Sequence, residues 1–318
     1  MSPLVPASRN AYGGGFAYER ETPAGASSAA SWQAPEGTAL AATTPHPEDG
    51  FAWRIETGAT GEVAFAFPSG LHPLSKVAMR VRATAPFAVE LHFEDSSGME
   101  CHTTLDSSAC GSSSVSGNAR TAGLGAWVAN GNWHPVLLDP VAELREIAPA
   151  ATIGSLVRMV FRGTLDIGGL TILRYPDTDH DGIPDSVETH FGLSPDDCAD
   201  AGLDLDGDGL CSRHEFLYGT SMATPDTDGD GLPDGNEVKS HGTDPLRADQ
   251  DGDGLADGWE ISHFGSLSRN GTGDYDSDGL SDYLEFMTGG DPLHPAAEAT
   301  PSQLLLELYT ILANLTGN

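Results

Sequence analysis

One twelve-residue pattern, three aspartates at alternate positions, then Gly and a closing Glu, occurs five times between residues 177 and 285. It reads DTDHDGIPDSVE from Asp177, DLDGDGLCSRHE from Asp204, DTDGDGLPDGNE from Asp226, DQDGDGLADGWE from Asp249 and DYDSDGLSDYLE from Asp274. The starts lie 27, 22, 23 and 25 residues apart, which makes this an internal array. Residues 175–293 hold 29 of the 47 acids and 4 of the 15 bases. A stretch so acidic ordinarily repels itself and stays disordered, but acids fixed in register between Gly and apolar residues behave as ligands, not as a solvated tail.

The spacing has a physical reason. Acids at positions 1, 3 and 5 wrap one cation, Gly at 6 allows the sharp turn, the carbonyl of 7 adds an oxygen, position 9 binds directly or through water, and Glu at 12 closes the sphere bidentately. About seven hard oxygens at a flexible site select calcium over magnesium. The predicted ligands of loop 1 are Asp177, Asp179, Asp181, Ile183 (carbonyl), Asp185 and Glu188. Loop 2 supplies Asp204, Asp206, Asp208, Leu210 (carbonyl) and Glu215, with Ser212 at position 9 acting through a water. Loop 3 supplies Asp226, Asp228, Asp230, Leu232 (carbonyl), Asp234 and Glu237, and loop 4 Asp249, Asp251, Asp253, Leu255 (carbonyl), Asp257 and Glu260. Loop 5 supplies Asp274, Asp276, Asp278, Leu280 (carbonyl), Asp282 and Glu285, so about five calcium ions are expected.

With GTDPL at Gly242 to Leu246 and GGDPL at Gly289 to Leu293, the array over 176–293 resembles bacterial thrombospondin type 3 repeats. That resemblance implies calcium-filled loops wound into a stiff rod or compact cap, with calcium in place of a core. The apolar residue at position 7 would make the repeated packing contact, and a helical turn would follow each Glu until a Gly stops it.

Upstream the period changes to two. Val63, Phe65 and Phe67, then Val77, Met79 and Val81 against Arg80 and Arg82, then Phe87, Val89, Leu91 and Phe93 alternate as half-buried strands do. With 51–56, 125–130, 133–139, 155–162 and 167–174 they predict a mostly β fold: an antiparallel β-sandwich, followed by the calcium-loop array and a short C-terminal helix. Segments such as NWHPVLLDP and LVRMVFRGTLDIGGLTIL are similar in strand grammar to jelly-roll, galactose-binding-like carbohydrate modules. Trp53, Trp127, Trp133 and His92 are candidates for a sugar-stacking face, against the commoner use of large aromatics as core.

The expected domains are an extended arm at 1–50, a sandwich at 51–175, the array at 176–293 and an amphipathic helix at 294–318. The arm is held either by its own domain or by the sheet of a neighbouring subunit. In the helix, Thr300, Pro301 and Gln303 form a capping box ahead of Leu304, Leu305, Leu308, Ile311, Leu312 and Leu315, a stripe that needs a partner in this chain or another.

A net charge of −32 excludes nucleic acid as a partner, and no apolar run reaches the length of a membrane-spanning helix. The four cysteines fall into local pairs, Cys101 with Cys110 and Cys198 with Cys211, and predict two short-loop disulfides in an oxidising compartment, with four free thiols as the alternative. GTSMATP at Gly219 to Pro225 matches a subtilisin-type serine signature at Ser221, but it occupies the slot of GTDPL and runs straight into loop 3. His180, His190, His214, His241 and His263 have no metal-site spacing, and nothing marks Glu90, Glu94, Asp95 or Asp139 as a catalytic pair. The sequence therefore predicts a secreted, non-enzymatic, calcium-binding structural or adhesive protein that assembles with itself. A carbohydrate-binding accessory region of a polysaccharide-degrading enzyme is the alternative.

Overall fold

The computed structural model describes residues 19–21, 26, 31–34, 38–44, 51–57, 61–67, 75–107, 110–124 and 126–295. The predicted C-terminal helix lies outside them. The chain divides into two compact units, Met1–Thr224 and Pro225–Asn318.

The first unit contains a two-sheet sandwich. Its strands are β1 (Glu19–Glu21), β2 (Trp32–Gln33), β3 (Thr38–Ala42), β4 (Ala52–Thr57), β5 (Val63–Ala66), β6 (Lys76–Arg82), β7 (Ala88–Asp95), β8 (Glu100–Asp106), β9 (Cys110–Ser116), β10 (Ala119–Leu124), β11 (Trp133–Leu138), β12 (Ile153–Arg162) and β13 (Thr164–Arg174). One sheet runs β11-β6-β13-β4-β3, with β1 also on β13; the other runs β2-β5-β12-β7-β8-β10-β9. Pairing is antiparallel except between β8 and β10. Among the described residues, three strands thus come from the first fifty positions, and all three pair within their own chain.

The alternating residues meet between the sheets. Val77, Met79, Val81 and Ile167 from one face Phe65, Leu91, Phe93, Met159 and Phe161 from the other, each at most 1% exposed. Burial of this apolar surface is the main stabilisation of the sandwich, at about 25 cal/mol per Å².

The structure departs from the sequence reading in three places. Residues 125–130 are not a strand: Ala126–Ala129 make one 3-10 turn that drops Val128 into the core. Strands β8 to β10 are rich in Ser, Thr and Gly and carry little hydrophobic period. Helix α1 (Pro140–Ile147) has Asp139 as its N-cap, accepting from the Val141 and Ala142 amides, and Pro at its first position, a signal present in the sequence.

The predicted disulfides are not formed: Cys101, Cys198 and Cys211 are free. Strand β10 separates β8, which carries Cys101, from β9, which carries Cys110. Two steps across a sheet span about 9–10 Å, beyond the ~7 Å Cα limit for a bridge. Cys211 instead places Sγ 3.0 Å from His214 Nδ1.

The outer face of the β6-bearing sheet is covered too. Ala78, Leu137 and Leu173 form a second apolar cluster with Tyr175, Ile183, Val187, Leu193, Phe216, Leu217 and Met222, all contributed by the stretch through loops 1 and 2. Helix α2 (Asp185–Phe191) follows loop 1 and α3 (Ser212–Tyr218) follows loop 2. Arg213 of α3 donates to the Leu137 carbonyl at 3.1 Å. Tyr218 Oη lies 2.6 Å from His134 Nδ1, and His134 Nε2 lies 2.8 Å from Asn130 Oδ1. Burial holds the His134 imidazole down at about 4, so this contact is neutral.

Candidate metal centre

The acidic loops fold by closely related local hydrogen bonds. In loop 3, Asp226 accepts the Gly229 and Gly231 amides at 2.8 and 2.9 Å, Asp228 accepts Asp230 N–H at 3.2 Å, and Asp230 accepts Leu232 N–H at 2.7 Å. Loop 4 repeats this set within about 0.2 Å, from Asp249, Asp251 and Asp253 to Gly252, Gly254, Asp253 and Leu255. Asp204, Asp206 and Asp208 do the same in loop 2, and Asp274, Asp276 and Asp278 accept the corresponding turn in loop 5. One oxygen of the third-position aspartate holds the turn and the other points inward: Oδ2 of Asp179, Asp206, Asp228 and Asp276 is buried with no hydrogen-bond partner among the described residues. Gly at position 6 has φ between 93° and 101° in all five loops, a left-handed conformation that a side chain would strain.

Three aspartate oxygens converge within 4.8 Å of one another in Asp177–Asp179–Asp181, Asp204–Asp206–Asp208, Asp226–Asp228–Asp230 and Asp249–Asp251–Asp253. The closing glutamates come from the first turn of the helices that leave the loops: α2, α3, α4 (Asp234–Asn236, continued by a π turn at Glu237–His241), α5 (Asp257–Phe264) and α6 (Asp282–Thr288). Glu188, Glu215, Glu237, Glu260 and Glu285 are at most 1% exposed. Both carboxylate oxygens of Glu188 and of Glu260 are buried without a hydrogen-bond partner among the described residues. A buried carboxylate with no partner is costly unless a cation meets it, so the donor set fits a hard divalent ion such as calcium. The position-7 residues Ile183, Leu210, Leu232, Leu255 and Leu280 are all buried.

Residues 226–248 and 249–266 match the Bacterial TSP3 repeat. No curated protein matches the chain. Among solved structures, the chain is similar to a family 11 carbohydrate-binding module from Clostridium thermocellum in complex with a mixed-linked tetrasaccharide, at 7% identity and TM-score 0.28, covering 48% of this chain and 94% of that one. It is also similar to the tandem CBM22 domains of Paenibacillus barcinonensis Xyn10C, at 12% identity and TM-score 0.30, covering 53% of this chain and 52% of that one. Loop 2 repeats the full hydrogen-bond set of the two matched stretches, and loops 1 and 5 keep its bonds to the amides of positions 5, 6 and 7.

Position 9 also serves the turn of its own loop. Asp185 accepts Thr178 N–H at 2.7 Å and Thr178 Oγ1–H at 2.8 Å, and Asp234 accepts the same pair from Thr227 at 2.8 and 2.6 Å. Asp257 and Asp282 accept the amides of Gln250 and Tyr275. The ninth residue therefore staples the helix start to position 2 of its own loop. In loop 2, Ser212 turns instead to the Leu203 carbonyl, at 2.9 Å.

Successive loops in the second unit are linked through their fifth-position aspartates. Asp230 Oδ2 accepts Gly258 N–H of α5 at 2.8 Å, and Asp253 Oδ2 accepts Gly271 N–H, ahead of loop 5, at 2.9 Å. A Cβ at Gly258 would sit 2.7 Å from the Asp230 carbonyl oxygen, so only Gly fits this junction.

The other candidates fall apart in space. Trp53 on β4 and Trp133 on β11 share one sheet while His92 is on β7 of the other, and Trp127 packs edge-on against His134 and His214, so no joint sugar platform forms. His92 lies between Glu90 and Glu100, at 3.2 and 3.0 Å. Asp95 accepts the amides of Ser97 and Met99, and Ser155 Oγ donates to Glu94 at 3.4 Å. Gly219 ends α3 in the left-handed conformation, and the neighbouring Met222 is buried in the second cluster, which makes GTSMATP a helix exit.

Burial raises the loop acids: Glu188 to about 8, Glu237 to about 9, and Asp181, Glu260 and Glu285 to about 7. A carboxyl whose folded pKa lies above its unfolded value of about 4 stabilises the ion-free fold in acid and loses that contribution as pH rises through 7 to 9. Calcium must displace these protons, so its stabilisation grows over the same window. Calorimetry with calcium and with chelator should show a larger calcium-induced rise in melting temperature at pH 8 than at pH 5. Equal rises at both pH values would refute this reading of the acids.

Proposed function

We propose that the chain is an extracellular, non-enzymatic, calcium-binding structural or adhesive protein in which about five calcium ions act as folding cofactors. The observation that carries this reading is the buried glutamate of each loop, held beside aspartate oxygens that the protein itself leaves without donors. The matched TSP3 repeats support calcium as the ion. Extracellular calcium near millimolar would fill even weak sites, with Kd of ~10⁻⁴ to 10⁻³ M. Among the described residues no helix is long and apolar enough to cross a membrane.

The finer part of the proposal, self-association on a surface or in a matrix, rests on the leucine-rich stripe at 304–315, which requires a partner. Equilibrium dialysis combined with light scattering tests both parts. About five bound calcium ions and calcium-dependent oligomers are expected. No binding at millimolar calcium would overturn the calcium reading. A monodisperse monomer that binds a polysaccharide would replace the self-assembling protein with a carbohydrate-binding accessory module.

A further inference from the structure

Loop 1 differs from the others in what surrounds it. The interval to loop 2 is 27 residues, the longest in the array, and it includes a 3-10 turn at Asp200–Gly202. That turn brings Asp200, which belongs to no twelve-residue motif, to the loop: carboxylate oxygens of Asp181, Glu188 and Asp200 lie within 4.8 Å of one another. With ion–oxygen distances of about 2.3–2.6 Å, ligand oxygens around one calcium lie at most about 5 Å apart, so the three fit a single sphere.

The side chains are set for this. Asp200 accepts Ser194 N–H on Oδ2 at 2.7 Å, which fixes its rotamer, while its Oδ1 is buried with no hydrogen-bond partner among the described residues. Glu188 is 0% exposed, and neither of its oxygens has a hydrogen-bond partner among the described residues. Asp185, the position-9 acid, has both oxygens engaged by Thr178. We propose that Asp200 is a ligand of the loop 1 cation, delivered from outside the loop to the side that position 9 leaves open. The proposal rests on the reading of loop 1 as a calcium site.

Five carboxylates then face one ion: Asp177, Asp179, Asp181, Glu188 and Asp200.

The test is equilibrium dialysis of the full chain over graded free calcium, with Asp200→Asn, Glu188→Gln and the double variant. Asn keeps an acceptor for Ser194 N–H, and unchanged hydrogen-exchange protection of β6 and β13 in saturating calcium verifies the fold. Asp200→Asn should weaken one ion about tenfold or more and leave the others unchanged. Glu188→Gln and the double variant should lose the same single ion. A titration of Asp200→Asn that superimposes on the unsubstituted protein overturns the proposal and leaves the calcium reading standing. Loss of two ions in the double variant also overturns it, by assigning Asp200 to a separate cation. If Glu188→Gln changes nothing, loop 1 is not a calcium site and the underlying reading fails.

Discussion

Excess chelator added to the full chain should unfold loops 3 to 5 and leave the β-sandwich folded. The reason is the balance of what each part buries. Among the described residues of the unit Pro225–Asn318, the buried aliphatic side chains are Leu232, Val238, Leu255, Leu280 and Leu284. Against these five stand seven buried acids: Asp230, Asp234, Glu237, Asp257, Glu260, Asp282 and Glu285. Without cations that inventory is self-repelling and has too little apolar burial to offset chain entropy. An ion present at a hundred times its Kd stabilises by about 2.7 kcal/mol, so three ions supply about 8 kcal/mol, comparable with the whole stability of a small domain. The sandwich has a core that owes nothing to the ions. Hydrogen exchange checks this. Amides across 226–288 should exchange at unfolded rates in chelator while β6, β7 and β12 stay protected. Retained protection at 226–288 would show that the array folds without metal.

The second large effect is expected at Lys76. This lysine is 2% exposed, donates to Asp139, and lies 3.0 Å from Asp177 Oδ2, the first acid of loop 1. Its ammonium also sits 5.1 Å from the centre of the Tyr175 ring. Burial pushes Asp139 upward, but the His180 hydrogen bond and the charge of Lys76 outweigh it and hold the acid at about 2. Lys76→Met leaves two buried carboxylates without their cation, and losing one partner of a buried ion pair costs about 3–5 kcal/mol. Thermal or urea unfolding monitored in the sandwich should register that loss. The double variant Lys76→Met, Asp139→Asn should recover part of it, because it removes one of the stranded charges. A single variant within about 0.5 kcal/mol of the unsubstituted protein would mean that the buried cluster contributes no net stability.

The five loops were legible in the sequence because chelation geometry is local. An aspartate that accepts an amide two to five residues along, a Gly at position 6 and a Glu on the next helical turn all lie within twelve residues, so spacing alone specifies the turn. Strands β5 to β7 were legible for a similar reason, since period two reports a buried face, and β4 and β11 to β13 were legible as short runs bounded by Gly, Ser and Pro clusters. Strands β8 to β10 were not, since Ser, Thr and Gly contribute little hydrophobic signal and are held by their neighbours in the sheet. The disulfides failed because closeness in sequence says nothing of the strand inserted between β8 and β9.

What only the tertiary structure decided is the use made of the second face of the β6-bearing sheet. Alternation in β6 set Val77, Met79 and Val81 in a core against Arg80 and Arg82, yet Arg80 is buried too, as are Lys76 and Ala78. Loops 1 and 2 lie over that face through Ile183, Val187, Phe216 and Leu217. The same packing brings Lys76 to Asp177, and the turn between the two loops brings Asp200 to Glu188. Such contacts join residues distant in sequence and depend on which surfaces exclude water together. The repeat spacing determined which oxygens could hold an ion; the folded chain determined that the first of these sites is partly built by the sandwich.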